Sequence, residues 1–141
     1  MPAQHLIDVA YARLMAEGEA DLDGAMASFE GEPVYELFPV GRRMRGMDAA
    51  RRYYRHFFAE VLPRLVNDKI IVHGNSVTET GLINESTLVY RHDDGAEQSF
   101  RVLGILVFGE KAVTGERIFA DEAFLRVMFG PLWDEMEPIE G

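Results

Sequence analysis

The chain contains no cysteine in its 141 residues. Disulfides and thiolate metal sites are thereby excluded, and a reducing cytoplasm is the expected setting. Long apolar runs are also missing, since nothing approaches the roughly 18–20 consecutive apolar residues that cross a bilayer as a helix. The opening residues MPAQHLIDVAYARLM carry no basic leader and are amphipathic rather than evenly apolar, so they do not read as a secretion signal. Glycine-rich phosphate loops, metal-ligand spacings of the HExxH kind and a G-x-S-x-G context are absent. No metal, no cofactor and no serine-hydrolase chemistry is therefore expected. Basic residues are scarce: 14 Lys and Arg stand against 24 Asp and Glu, a net charge of −10. That balance argues against nucleic-acid binding, which depends on neutralising phosphates.

What is present fits a globular chain, with 48% hydrophobic and 27% charged residues. A single domain is expected over residues 1–130, followed by an acidic tail at 131–141 whose last eight residues, DEMEPIEG, hold four acids and no base. The exception to the acidity is local. Arg42, Arg43, Arg45, Arg51, Arg52 and Arg55 crowd into 14 positions. They read either as an anion site or as a solvated helix face, and Asp48, four residues before Arg52, favours the second.

Periodicity gives the order of elements. Leu6, Ile7, Ala10, Tyr11, Leu14 and Met15 make an apolar helical face over Gln4 to Glu17, which Gly18 ends. A short helix follows from Leu22 to Phe29 with Asp21 as N-cap, then a short strand over Glu32 to Phe38. After a Pro-Val-Gly turn, Asp48 to Leu65 is the longest helical pattern, with Pro63 near its end. Four strands rich in Val, Ile, Thr, Phe and Leu come next: Lys69 to Thr80, Leu82 to His92, Glu97 to Phe108 and Ala112 to Ala120. Short turns such as His92-Asp93-Asp94-Gly95 separate them and predict an antiparallel meander. Asp121 to Phe129 closes the chain as a short helix. The fold class is α+β: three N-terminal helices packed on a strongly curved antiparallel sheet, a cone-shaped barrel with a short C-terminal helix. Such a cone leaves a ligand cavity.

Several motifs in this arrangement resemble one known superfamily. Tyr11 on the first helix, Asp21-Leu22-Asp23-Gly24, Pro39-Val40-Gly41, Gly46 and the aromatic pair Tyr53-Tyr54 are similar to motifs of ketosteroid isomerases. The chain thus resembles the nuclear transport factor 2-like superfamily, the SnoaL-like or ketosteroid-isomerase-like fold, over roughly Leu6 to Gly130. The resemblance implies Tyr11 as a hydrogen-bond donor to a ligand oxygen, with Tyr54 supporting it. It also implies an Asp before Pro-Val-Gly as general base, but that position is Phe38, which takes no proton. The region Gly104-Ile105-Leu106-Val107 likewise lacks the second, acidic donor. Limonene-epoxide hydrolases, in the same superfamily, use an Asp-Arg-Asp set on strands, and no Asp falls on a strand here.

The candidates for chemistry therefore lie elsewhere. Glu85 interrupts an uncharged strand and shares a face with Ile83, Thr87 and Val89, while Glu116 is in phase with Ile118 and Ala120. Facing the cone, either would be a desolvated carboxylate suited to acid–base work. Paired with Arg101 or Arg117 on the other face, either would be a structural ion pair. His73 is a further candidate base. Tyr11, Met15, Tyr35, Phe38, Tyr53, Tyr54, Phe57 and Phe58 form the expected apolar wall of the pocket. The resulting expectation is a small-molecule-binding protein, of isomerase or cyclase type, acting on an apolar carbonyl-bearing ligand such as a polyketide, steroid-like compound or terpenoid. The alternative is a non-enzymatic homodimer of the same fold, paired through Val102, Leu106, Phe108 and Ile118.

Overall fold

A computed structural model describes residues 1–139. Helix α1 spans Gln4–Gly18 and α2 spans Leu22–Ala27, the latter capped where the Asp21 carboxylate accepts from the Gly24 amide at 3.0 Å. Strand β1, Phe29–Phe38, turns through Pro39-Val40-Gly41 into the short β2, Arg42–Arg45. Gly46 then takes a φ of +106°, a conformation that disfavours side chains, and its amide donates to Pro33 as helix α3, Met47–His56, begins.

The single long helix expected over Asp48 to Leu65 is broken into three pieces. Past His56 the chain widens into a π turn, Phe57–Val61, in which the Leu62 amide reaches the Phe57 carbonyl, and then tightens over Leu62–Arg64. Pro63 explains the break, because it has no N–H to offer Ala59 and its ring crowds that carbonyl. Strands β3 (Ile71–Val77), β4 (Gly81–Arg91), β5 (Glu97–Phe108) and β6 (Val113–Phe119) form the expected meander. Helix α4, Glu122–Phe129, closes it, with the Asp121 carboxylate as N-cap.

Two strands escape the sequence reading. β2 pairs with β1, and a two-residue β7, Glu137–Pro138, pairs with β2. The sheet runs β3-β4-β5-β6-β1-β2-β7 and stays open. It is mixed rather than wholly antiparallel: β1 lies parallel to β6, which the long connection through α3 permits. Helices fill its concave side around Tyr35, Leu37, Tyr54, Phe124, Leu125 and Phe129.

The acidic segment after Gly130 is bound to the body of the molecule as far as residue 139. Leu132, Trp133 and Met136 are buried. Three of the clustered arginines hold this segment. The Arg42 guanidinium lies 4.8 Å from the Trp133 ring centre and donates to its carbonyl, Arg43 pairs with Glu137, and Arg52 grips both oxygens of Glu135 at 2.7 and 2.5 Å. Half of the cluster is thus an internal clasp, which neither sequence reading foresaw.

Candidate functional site

Helix α1 sets the site. Its buried face is Leu6, Ala10, Arg13 and Ala16, rotated from the expected stripe, so that Tyr11 and Met15 lie toward solvent at 41% and 65% exposure. Arg13 is completely buried. Stripping water from a guanidinium is costly, and the structure compensates at both terminal nitrogens, while Nε makes no hydrogen bond. One terminal nitrogen donates to the Tyr35 hydroxyl and, at 3.2 Å, to Glu116 Oε2; the other donates to Ser28 Oγ at 3.2 Å. Nε lies 3.6 Å from Glu17 Oε1, one turn along the same helix. The guanidinium carbon also sits 4.5 Å from the centre of the Phe29 ring, a cation–π contact. Behind it, the Tyr35 hydroxyl donates to that of Tyr54 at 3.2 Å.

Two carboxylates therefore share one buried cation. Burial raises the Glu17 carboxyl to about 7, against the opposing pull of Arg13 and with the charge of Glu116 adding to the rise. Burial likewise pushes Glu116 above the usual carboxylate range, with Arg13 opposing. One guanidinium neutralises only one carboxylate, so the pair keeps a proton to higher pH than a free carboxyl does. Glu116 accepts a hydrogen bond from Arg13 whereas Glu17 has the longer contact, which favours Glu17 as the carboxyl that holds the proton and Glu116 as the anion.

The pair opens onto a cavity of about 540 Å³ between α1, α3, the π turn and the concave face of β3–β6. Its lining is mostly apolar, with Leu14, Tyr53, Phe57, Leu88, Val102, Leu106, Ile118 and Met128 among the wall residues. The polar exceptions are Glu17, Glu116, Asn75, Asn84 and Ser86, and two lining residues, Tyr11 and Tyr53, are tyrosines. An acid, a base and a few hydrogen-bonding groups inside an apolar chamber can transfer protons to and from a small organic molecule.

The sequence candidates divide accordingly. Glu116, Tyr11, Met15, Tyr53 and Phe57 line the cavity. Tyr35 and Tyr54 sit behind it, fully buried, with the Tyr54 hydroxyl accepting from Tyr35 rather than supporting Tyr11. Phe58 packs against the core without reaching the lumen. Phe38 is displaced from its expected place: β1 turns Tyr35 and Leu37 inward, so Phe38 points outward and stacks on Phe119 at 4.9 Å. Glu85 also faces outward, because on β4 it is Leu82, Asn84, Ser86 and Leu88 that turn inward or line the cavity; it pairs with Arg101 at 2.5 Å. His73 is exposed and bonds Thr87 at 2.7 Å on that same outer side. Of the four residues expected at a dimer face, Val102, Leu106 and Ile118 line the cavity instead, while Phe108 does not.

Arg13 and Glu17 were missed. The signal was available in their spacing: Leu6, Ala10, Arg13 and Glu17 succeed one another by three or four residues and so share one helix face. Charges within an otherwise buried stripe mark a functional or structural ion site.

No family model matches the chain, and no curated protein matches it in sequence. Solved structures do match its fold. A SnoaL-like polyketide cyclase candidate from Jannaschia is 16% identical with a TM-score of 0.68, covering 91% of this chain and 94% of its own. A nuclear transport factor 2-like protein of unknown function from Burkholderia pseudomallei is 11% identical with a TM-score of 0.69, covering 89% and 98%. An epoxide hydrolase of the limonene-epoxide-hydrolase type from Mycobacterium tuberculosis is 21% identical with a TM-score of 0.65, covering 89% and 87%. The fold is the one that these nuclear transport factor 2-like and SnoaL-like structures share. Among the described residues no helix is long and apolar enough to cross a membrane, and no cluster of metal-ligating side chains occurs.

Proposed function

We propose that the protein is an acid–base enzyme of isomerase or cyclase type that acts on an apolar, carbonyl-bearing small molecule held in the cavity. The observation that carries this reading is the Glu17–Arg13–Glu116 set: two carboxyls on one buried guanidinium, both open to an apolar chamber. The Glu116 carboxylate takes a proton from the carbon next to the carbonyl, and the Glu17 carboxylic acid donates to the oxygen as it becomes enolic. Returning the proton to a different carbon completes an isomerisation without a co-reactant. Arg13 keeps Glu116 ionised while Glu17 stays protonated, so acid and base are set apart by their surroundings.

The same set favours a second reading. Carboxyl, arginine and carboxyl in contact reproduce, with Glu for Asp and with a helix in place of one strand, the acid–base set that the sequence alone did not show for epoxide opening. In that case Glu116 deprotonates a water that attacks the epoxide carbon, and Glu17 protonates the departing oxygen. A panel of cyclic enones and cyclic epoxides, assayed by gas chromatography, separates the two. Glu116→Gln and Glu17→Gln are expected to lower turnover of any accepted substrate by at least about 100-fold with near-UV dichroism unchanged. Full activity in both variants would remove the assignment.

A further inference from the structure

Resting on the acid–base reading above, we infer that Asn84 is the specificity-determining residue of the cavity: with Ser86 it binds the ligand's oxygen, across a gap that Gly104 keeps open, facing Glu116.

The sheet register brings these residues together. Asn84 on β4 stands directly opposite Gly104 on β5, and Gly104 stands opposite Ile118, two residues from Glu116 on β6. Opposed residues of antiparallel strands hold their β-carbons about 5 Å apart. A β-carbon built on Gly104 would lie 2.9 Å from Glu116 Oε1 and 4.0 Å from its carboxyl carbon. The free oxygen of Glu116 therefore leans over the glycine toward β4, while Oε2 is held by Arg13. Asn84, Gly104 and Glu116 all line the same cavity, and the glycine between the two polar side chains puts no side chain of its own there.

The amide is prepared for a ligand. Asn84 Nδ2 donates to Asn75 Oδ1 at 2.6 Å, which fixes the plane of the group and, among the described residues, leaves a second N–H and Oδ1 unused. Ser86, two residues on and on the same face, is buried, and among the described residues its hydroxyl makes no hydrogen bond. A hydroxyl and a carboxamide with unused hydrogen-bonding capacity in an apolar wall discriminate in favour of an oxygen and against a hydrocarbon of the same shape, because a ligand that cannot bond them leaves them desolvated. The ligand class this selects is a planar or cyclic hydrocarbon skeleton bearing a carbonyl, enol or phenol oxygen at its edge.

The test uses 2-naphthol, as a phenolic stand-in for an enol, and naphthalene, as its oxygen-free counterpart, in equilibrium dialysis against the intact protein. Wild-type protein is expected to prefer 2-naphthol by about tenfold or more, as one to two ligand hydrogen bonds imply. Asn84→Leu removes the carboxamide at similar volume. Gly104→Ala fills the gap, and the only atoms its methyl meets belong to the movable end of Glu116, so it folds. Each variant is expected to cut the preference to about twofold or less while naphthalene binding holds. A preference retained in both variants, or absent from wild type, overturns the inference. Glu116→Gln separates the levels: a preference lost there alone leaves the acid–base reading standing without Asn84, and one unchanged in all three variants removes both.

Discussion

Glu85 and Glu116 invite comparison. Each lies on a long strand of the same sheet, each meets an arginine, and each was an equal candidate from its residue pattern. Glu85 pairs with Arg101 on the outer face, where the two side chains keep 40% and 59% of their exposure. Glu116 pairs with a fully buried Arg13 and keeps only 15%. On the outer face water screens the charges, and the pair is exchangeable with solvent. On the inner face little solvent reaches the charge, so the buried guanidinium weighs more heavily on which carboxyl is ionised. Ion pairing is common to both places; the surrounding medium makes one of them the candidate for proton transfer.

The comparison breaks most visibly at Arg13. Arg13→Met strands two carboxyls in an apolar wall, and urea denaturation should show a loss of about 3–5 kcal/mol at pH 8. Adding Glu17→Gln and Glu116→Gln to that variant should return most of the loss, because nothing charged is then left buried. A smaller effect appears on titration. The folded Glu17 carboxyl lies at about 7, above its ordinary value of 4.5, so the unfolded chain ionises first as pH rises. Its stabilising contribution is complete below about pH 4.5 and is lost by about pH 7, a fall of roughly 2–3 kcal/mol in wild type that Glu17→Gln should abolish. The outer pair should do least: Glu85→Gln is expected to change stability by about 0–1 kcal/mol and turnover not at all. A loss of several kcal/mol there would show that the two faces are not so different.

The architecture was legible because strands announce themselves by alternation and turns by Gly, Asp and Pro; the meander from β3 to β6 and helix α4 lie within a few residues of their expected bounds. The site was legible only in part. Glu85 was assigned to its proper partners, Ile83, Thr87 and Val89, but both faces of β4 carry apolar residues, so the pattern does not say which face turns inward. Arg13 and Glu17 escaped because charged residues on an amphipathic helix normally mark the solvent side. Only the sheet wrapped around α1 makes their face the inner one. Phe38 illustrates the same limit: in the family it resembles, its position faces the substrate, yet on this strand the alternation sends it out to Phe119.

The chain's one tryptophan lies between two guanidiniums, those of Arg42 at 4.8 Å and Arg126 at 4.7 Å, and is 5% exposed. It belongs to the clasped end of the chain and does not line the cavity. Its emission is therefore a built-in optical gauge of whether residues 130–139 are docked. A red shift at salt concentrations that leave far-UV dichroism intact would record the strap lifting while the rest of the molecule holds.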